Sequence, residues 1–232
     1  MRAVELSQLA LPLLLADHAV FETYLEAGNE AVVDYLCSLP ESAAAHGAWL
    51  WGSAATGKSH LLQAACERFG DRAVYVPLRE LDGAGPGLLD GLGSRDLVSI
   101  DDIGRVAGDD AWEQGLFNLF NQVYEAGHQL LVSATSPPRE SGILLADLRS
   151  RLQRLPAFHL HSLDDTQRVA ALQLRARHRG LDLPDETARY LLTRSKRDMR
   201  SLYELLDMLD LEALRAQRKL TIPFVKSVLE PN

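Results

Sequence analysis

Cysteine, aromatic side chains, long apolar runs and excess positive charge are all scarce in this chain of 232 residues. Each scarcity excludes something. Two cysteines, Cys37 and Cys66, supply neither a disulfide framework nor a zinc-spacing pattern, and are expected to be small buried hydrophobes in a reducing cytosol. No apolar run approaches the roughly 20 residues needed to cross a bilayer, so no membrane partner is expected. The opening MRAVELSQLALPLLLADH also makes a poor signal peptide. Glu5 follows Arg2 closely, Pro12 interrupts the run from Leu9 to Leu15, and Asp17-His18 stand where a small-residue cleavage site belongs. A formal net charge of -8 argues against unaided binding to nucleic acid, which needs a basic patch to neutralise phosphates.

What the chain does contain is an alternation. Short apolar runs AWLW (48–51), AVYV (73–76), LVSI (97–100), LLVS (130–133) and FHLH (158–161) are separated by helix-sized segments. Such runs read as strands of a parallel sheet buried on both faces. Between them HLLQAACERF (60–69) and AWEQGLFNLFNQVYEAG (111–127) carry apolar residues at helical spacing, with Gly127 placed as a C-cap. Beyond about residue 164 no strand pattern is left. Four helical segments follow, opened by Asp164 or Asp165, by Pro184-Asp185, by the RDM segment and by Thr221 with Pro223. The expected organisation is a segment 1–20, an α/β domain over 21–162 and a helical domain over 163–232.

The strongest chemical signal is WGSAATGKSH. Gly52, Gly57, Lys58 and Ser59 fit G-x-x-x-x-G-K-[ST] between a predicted strand and a predicted helix. Such a loop aims backbone N–H groups at phosphates, with the Lys on the β/γ-phosphates, the Ser on Mg²⁺ and His60 beside them. In DLVSIDDIG, Asp101 ends a strand where a carboxylate holds Mg²⁺, and Asp102 stands where a second acid orients attacking water. In LLVSATSPPRE, Ser133, Thr135 and Ser136 offer hydroxyls near the γ-phosphate position, and Thr135 is the favoured one. LADLRSRLQRLP crowds Arg149, Arg151 and Arg154 at a helix end, from which a guanidinium can complete a neighbour's nucleotide site. Arg200, opening another helix, can fold back onto phosphates.

Together these motifs resemble the AAA+ ATPase core: a P-loop domain with a parallel five-stranded sheet and an α-helical lid. More closely, FETYLEAGNEAVV, GKSHLLQAACE, IDDI, the PPRE segment, LRSRL and DMRSL are similar to the AAA+ domain of the DnaA/Hda group of bacterial replication proteins. The chain ends at Asn232 without room for the initiators' DNA-reading helix-turn-helix domain, and this points to the group's regulatory branch. QLALPL is similar to the short peptide by which proteins dock on the DNA polymerase III sliding clamp. Pro12 favours an extended backbone there, so that Leu11 and Leu13 can enter an apolar pocket while Gln8 makes a polar contact.

The resemblance implies a cytoplasmic negative regulator of replication initiation, carrying ADP or ATP with Mg²⁺. Held on a clamp that encircles DNA, it stimulates hydrolysis of ATP bound to the DnaA initiator. Arg151 is then the finger inserted in trans, and Arg200 the lid sensor. Thr135-Ser136 replaces an Asp-Arg pair frequent in the initiators, which implies weak or altered hydrolysis by the chain itself. A self-contained ATPase of helicase-loader type and a non-catalytic nucleotide-gated adaptor remain open alternatives, and head-to-tail self-association is compatible with any of them.

Overall fold

A computed structural model describes residues 19–41, 47–81, 83–194 and 198–229. Gln8, Leu11, Pro12 and Leu13 lie outside the described residues. All five predicted strands are present: β1 (Gly47–Trp51), β2 (Ala73–Pro77), β3 (Leu97–Asp101), β4 (Gln129–Ala134) and β5 (Ala157–His159). The last is one residue earlier and shorter than its sequence pattern suggested. The sheet is parallel throughout, in the order β2-β3-β4-β1-β5. Its inner strands are buried along their length, which is why they carry runs such as LLV and no alternation.

Two apolar layers cover the sheet. On one face α1 (Glu30–Ser38) and α2 (Lys58–Phe69) bring Val32, Leu36, Leu61, Leu62 and Phe69 onto Leu50, Leu97 and Leu131. On the other, α3 (Asp110–Glu125) and α4 (Ala146–Leu152) pack Leu116, Leu119, Val123 and Leu148 onto Val98, Ile100 and Val132. Helix α3 stops where the sequence indicated. The N–H of Gly127 donates to Tyr124 and that of His128 to Val123, the paired bonds of a Schellman cap. The Gly-rich stretch before β3 folds as two short 3₁₀ turns, Pro86–Leu89 and Leu92–Ser94, with Leu89 driven into the core.

The helical domain comprises α5 (Asp165–His178), α6 (Asp185–Arg194), α7 (Met199–Ala216) and α8 (Ile222–Leu229). Asp164, of the two acids considered, caps α5 in a reciprocal box with Gln167. Asp198 caps α7 by accepting from the N–H of Ser201. Leu172, Leu191, Leu202, Leu206 and Val225 form the core of this domain, joined by Leu163 just before α5 and by Leu25 from the α/β side.

Candidate nucleotide site

The phosphate loop sits between β1 and α2, as expected from its sequence. Gly57 has φ 89°, and a Cβ there would lie 2.6 Å from the Tyr24 ring. Glycine is therefore needed both for its backbone and for its size. A Cβ on Gly52 would meet the Leu160 carbonyl oxygen at 2.7 Å. Lys58 is buried, and its Nζ donates to the carbonyls of Gly52 (2.9 Å) and Ser53 (2.7 Å). Burial lowers its pKa, and nearby Asp102 and Asp101 oppose that shift. A cation folded into a loop of peptide groups at a helix N-terminus suits an anionic phosphate.

Asp101, the last residue of β3, is buried and held at both oxygens. The Tyr75 hydroxyl donates to Oδ2 at 2.6 Å, and the Ser133 hydroxyl donates to Oδ1. Ser133 also accepts the backbone N–H of Asp102 at 2.9 Å. Of the three hydroxyls weighed on β4 and its loop, Ser133 is thus the one joined to the acid pair. Thr135 is exposed just past the strand, and Ser136 closes a turn by donating to the Glu140 carbonyl.

Asp102 occupies the left-handed region at φ 60° and pairs with Arg79 Nε at 3.1 Å. Tyr75, buried, has its pKa raised well above the ordinary phenol value, by burial first and then by Asp101. Its hydroxyl remains a donor. The Ser59 and Gln63 side chains oppose that rise. Among the described residues no group of three or more His, Cys, Asp or Glu could hold a metal. The Ser59–Asp101 corner suits Mg²⁺ nonetheless, because that ion keeps water and substrate phosphates as most of its ligands.

His60 faces away from the loop. Its Nε2 lies 2.8 Å from the Val20 carbonyl and 3.3 Å from Thr23 Oγ1, tying down the turn Phe21–Thr23, while Tyr24 meets the ring edge-on. Burial lowers the His60 pKa, against the pull of the Val20 carbonyl, and nearby Arg175 adds to the lowering; a carbonyl can only accept, so Nε2 is the donor in that bond. Asn29 joins this side of the site to the end of the sheet. Its amide donates to the His161 carbonyl (3.2 Å) and accepts the His161 N–H (2.8 Å).

Arg151 lies in the last turn of α4, its guanidinium 4.5 Å above the Phe117 ring and 5.9 Å from that of Phe120. Helix α4 has no side-chain cap of its own; Glu113 of α3 fills that role by accepting the N–H groups of Leu144 and Leu145 and, from its own helix's approach, of Gly108. Burial would raise the Glu113 pKa, but these three bonds and Arg149 outweigh it and lower it. Arg200 is exposed in the first turn of α7.

Tyr75, Arg79, Asn29 and Glu113 were absent from the sequence-based list. Tyr75 left a signal: a tyrosine inside a buried strand needs a partner for its hydroxyl. Arg79, Asn29 and Glu113 left none, because the partners that place them in the fold, Asp102, His161 and Leu144-Leu145, are 23 to 132 residues away in the chain.

Comparison with known proteins bears on both halves. Residues 88–155 match the family model of the bacterial DnaA ATPase domain, and residues 165–229 match the model of the Hda lid domain. The fold resembles domain III of the Thermotoga maritima replication initiation protein DnaA, at 19% identity and TM-score 0.73, covering 92% of this chain and 96% of that one. It also resembles AMPPCP-bound DnaA from Aquifex aeolicus, at 23% identity and TM-score 0.67, covering 87% of this chain and 68% of that one. The Thermotoga maritima RuvB Holliday junction branch migration motor shares the fold at 19% identity and TM-score 0.62, over 90% and 72% of the two chains. By its sheet and helices the chain has an α/β AAA+ fold, and its two matched segments are similar to the bacterial DnaA ATPase domain and to the Hda lid domain.

Proposed function

We propose that this protein is a nucleotide-bound negative regulator of replication initiation, which docks on the DNA-loaded sliding clamp and stimulates hydrolysis of ATP held by the DnaA initiator. The observation that carries this reading is the placing of Arg151. Its guanidinium rests on the Phe117–Phe120 shelf of α3, and among the described residues it forms no ion pair with a carboxylate. A guanidinium so disposed is free to serve a neighbour's nucleotide.

In this reading Gly52, Gly57, Lys58 and Ser59 hold the phosphates of ADP or ATP, and Ser59 and Asp101 hold Mg²⁺. When bound, the ion neutralises phosphate charge. Asp102 and the β4 hydroxyls give the chain at most slow hydrolysis of its own, because Arg79 and Ser133 already engage the acid pair. His60 serves the site by anchoring the Phe21–Thr23 turn, and Arg200 carries the nucleotide state to the lid. Gln8 to Leu13 engage the clamp, which supplies the link to DNA. The protein works in the cytoplasm, and a second copy can adjoin it head to tail.

The test follows initiator-bound ATP on clamp-loaded DNA with and without this protein. Faster hydrolysis only when clamp and protein are both present is the expected result. Unchanged initiator with steady turnover by this protein alone would favour the independent ATPase.

A further inference from the structure

Asp101 and Ser59 come from different elements, β3 and α2, and nothing covalent sets the distance between them. One side chain links β3 to the packing of α2. Tyr75 of β2 donates its hydroxyl to Asp101 Oδ2 at 2.6 Å, while its ring belongs to the apolar layer that includes Leu62 and Cys66 of α2. The register of the sheet explains how. The β2–β3 pairing puts Tyr75 opposite Ser99 and Pro77 opposite Asp101. A tyrosine two residues short of the strand end, on the α2 face, has the length to bring its hydroxyl up to the acid. Its ring is buried among Leu62, Cys66 and Leu97, which holds the hydroxyl at that height. The other Asp101 oxygen is fixed by Ser133, so two donors on opposite sides define the plane of the carboxylate.

We propose that Tyr75 is a positioning residue for the magnesium–nucleotide complex, holding Asp101 in the orientation that faces Ser59. The proposal rests on the nucleotide-binding reading above. Tyr75 does not ligate the ion; it presets a ligand and ties that ligand to the phosphate-loop helix. A rotamer fixed in advance by an outer hydrogen bond spares the ion the cost of ordering it.

The experiment measures affinity for a fluorescent ADP analogue in EDTA and across a magnesium titration, for the wild type and for Tyr75→Phe. In EDTA the variant should bind within about twofold of wild type, because the loop and Lys58 are untouched. The magnesium concentration giving half of the affinity gain should rise roughly tenfold, the lower end of what loss of an outer-shell partner costs a metal site. In an Asp101→Asn background the same substitution should shift nothing further, since the preset ligand is already lost.

An unchanged magnesium midpoint overturns the proposal. So does an equal loss of affinity with and without magnesium, the mark of a merely structural defect. Should Tyr75→Phe fail to fold, Ser133→Ala frees the opposite oxygen and must shift the midpoint in the same direction; no shift there is equally fatal. Wild-type protein that does not bind the analogue refutes the nucleotide-binding reading together with this one, whereas wild-type binding without regard to magnesium overturns this proposal alone.

Discussion

The α/β domain and the helical lid are held together in different ways. In the first, a five-stranded parallel sheet is covered by apolar side chains on both faces, and its polar groups are concentrated at the carboxyl ends of β1, β3 and β4. The lid has a single core around Leu172, Leu202 and Leu206, and adds charge to it. Arg175 pairs with Asp207 at 3.2 Å and stacks on Tyr203 at 4.3 Å; Arg179 bridges Asp207 (2.9 Å) and Asp210 (3.2 Å). These guanidiniums are largely covered, yet their Nε atoms have no hydrogen-bond partner. A buried charge with incomplete bonding stabilises less than apolar packing does. The contrast assigns a rigid frame to the phosphate loop and a more easily opened unit to the segment that follows it.

Breaking the frame should cost most. Leu131, fully buried in β4, touches the α1–α2 layer. Leu131→Ala should destabilise the protein by about 2–5 kcal/mol, seen as a shift of the main denaturant midpoint. A loss below 1 kcal/mol would mean that the sheet is not the frame. Next comes the lid. Asp207→Asn removes the shared partner of Arg175 and Arg179, but the Asp207 side chain is 41% exposed and solvent already screens it. The expected loss is about 1–2 kcal/mol, smaller than for a fully buried pair. Hydrogen exchange should quicken across residues 165–229 and hardly change in β1, β3 and β4; a uniform increase would erase the contrast between the two units.

The smallest effects concern titration, at His60 near the lid and at Glu113 within the α/β domain. His60 has a lowered pKa in the folded state, so the unfolded chain binds the extra proton first. Its contribution to stability is complete above the ordinary histidine value of 6.5 and is lost as pH falls through the folded value. His60→Gln should flatten the decline of thermal stability below that pH. Glu113, also lowered, obeys the same sign in a more acidic window: its contribution fades as pH drops below the ordinary 4.5. Glu113→Gln should flatten that acid limb, and an unaltered limb would show that its bonds to the start of α4 carry no net charge effect.

Much of this was legible in the sequence. Five strands, the P-loop, the acid after β3, the short arginine helix and the change to helices near residue 164 were each written in a local pattern. The hydroxyl on β4 was legible only to within three candidates. Thr135 and Ser133 are two residues apart and differ in whether the strand has ended, and only the observed end of β4 at Ala134 separates them. His60 was misleading for another reason. Its place beside Ser59 suggests the phosphates, but a helix turns adjacent residues about 100° apart, and the ring swings to Val20. Arg79 and Glu113 act through partners brought near by β2–β3 pairing and by the packing of α3 on α4, which no local spacing encodes.

The central claim is that Arg151 acts on a nucleotide outside its own chain. The direct measurement compares wild type and Arg151→Ala for stimulation of hydrolysis of initiator-bound ATP on clamp-loaded DNA, with ADP binding by each protein measured in parallel. The account predicts that stimulation is abolished while ADP affinity stays within a few-fold of wild type. Unchanged stimulation by the variant would contradict it and leave the guanidinium on Phe117 as packing alone.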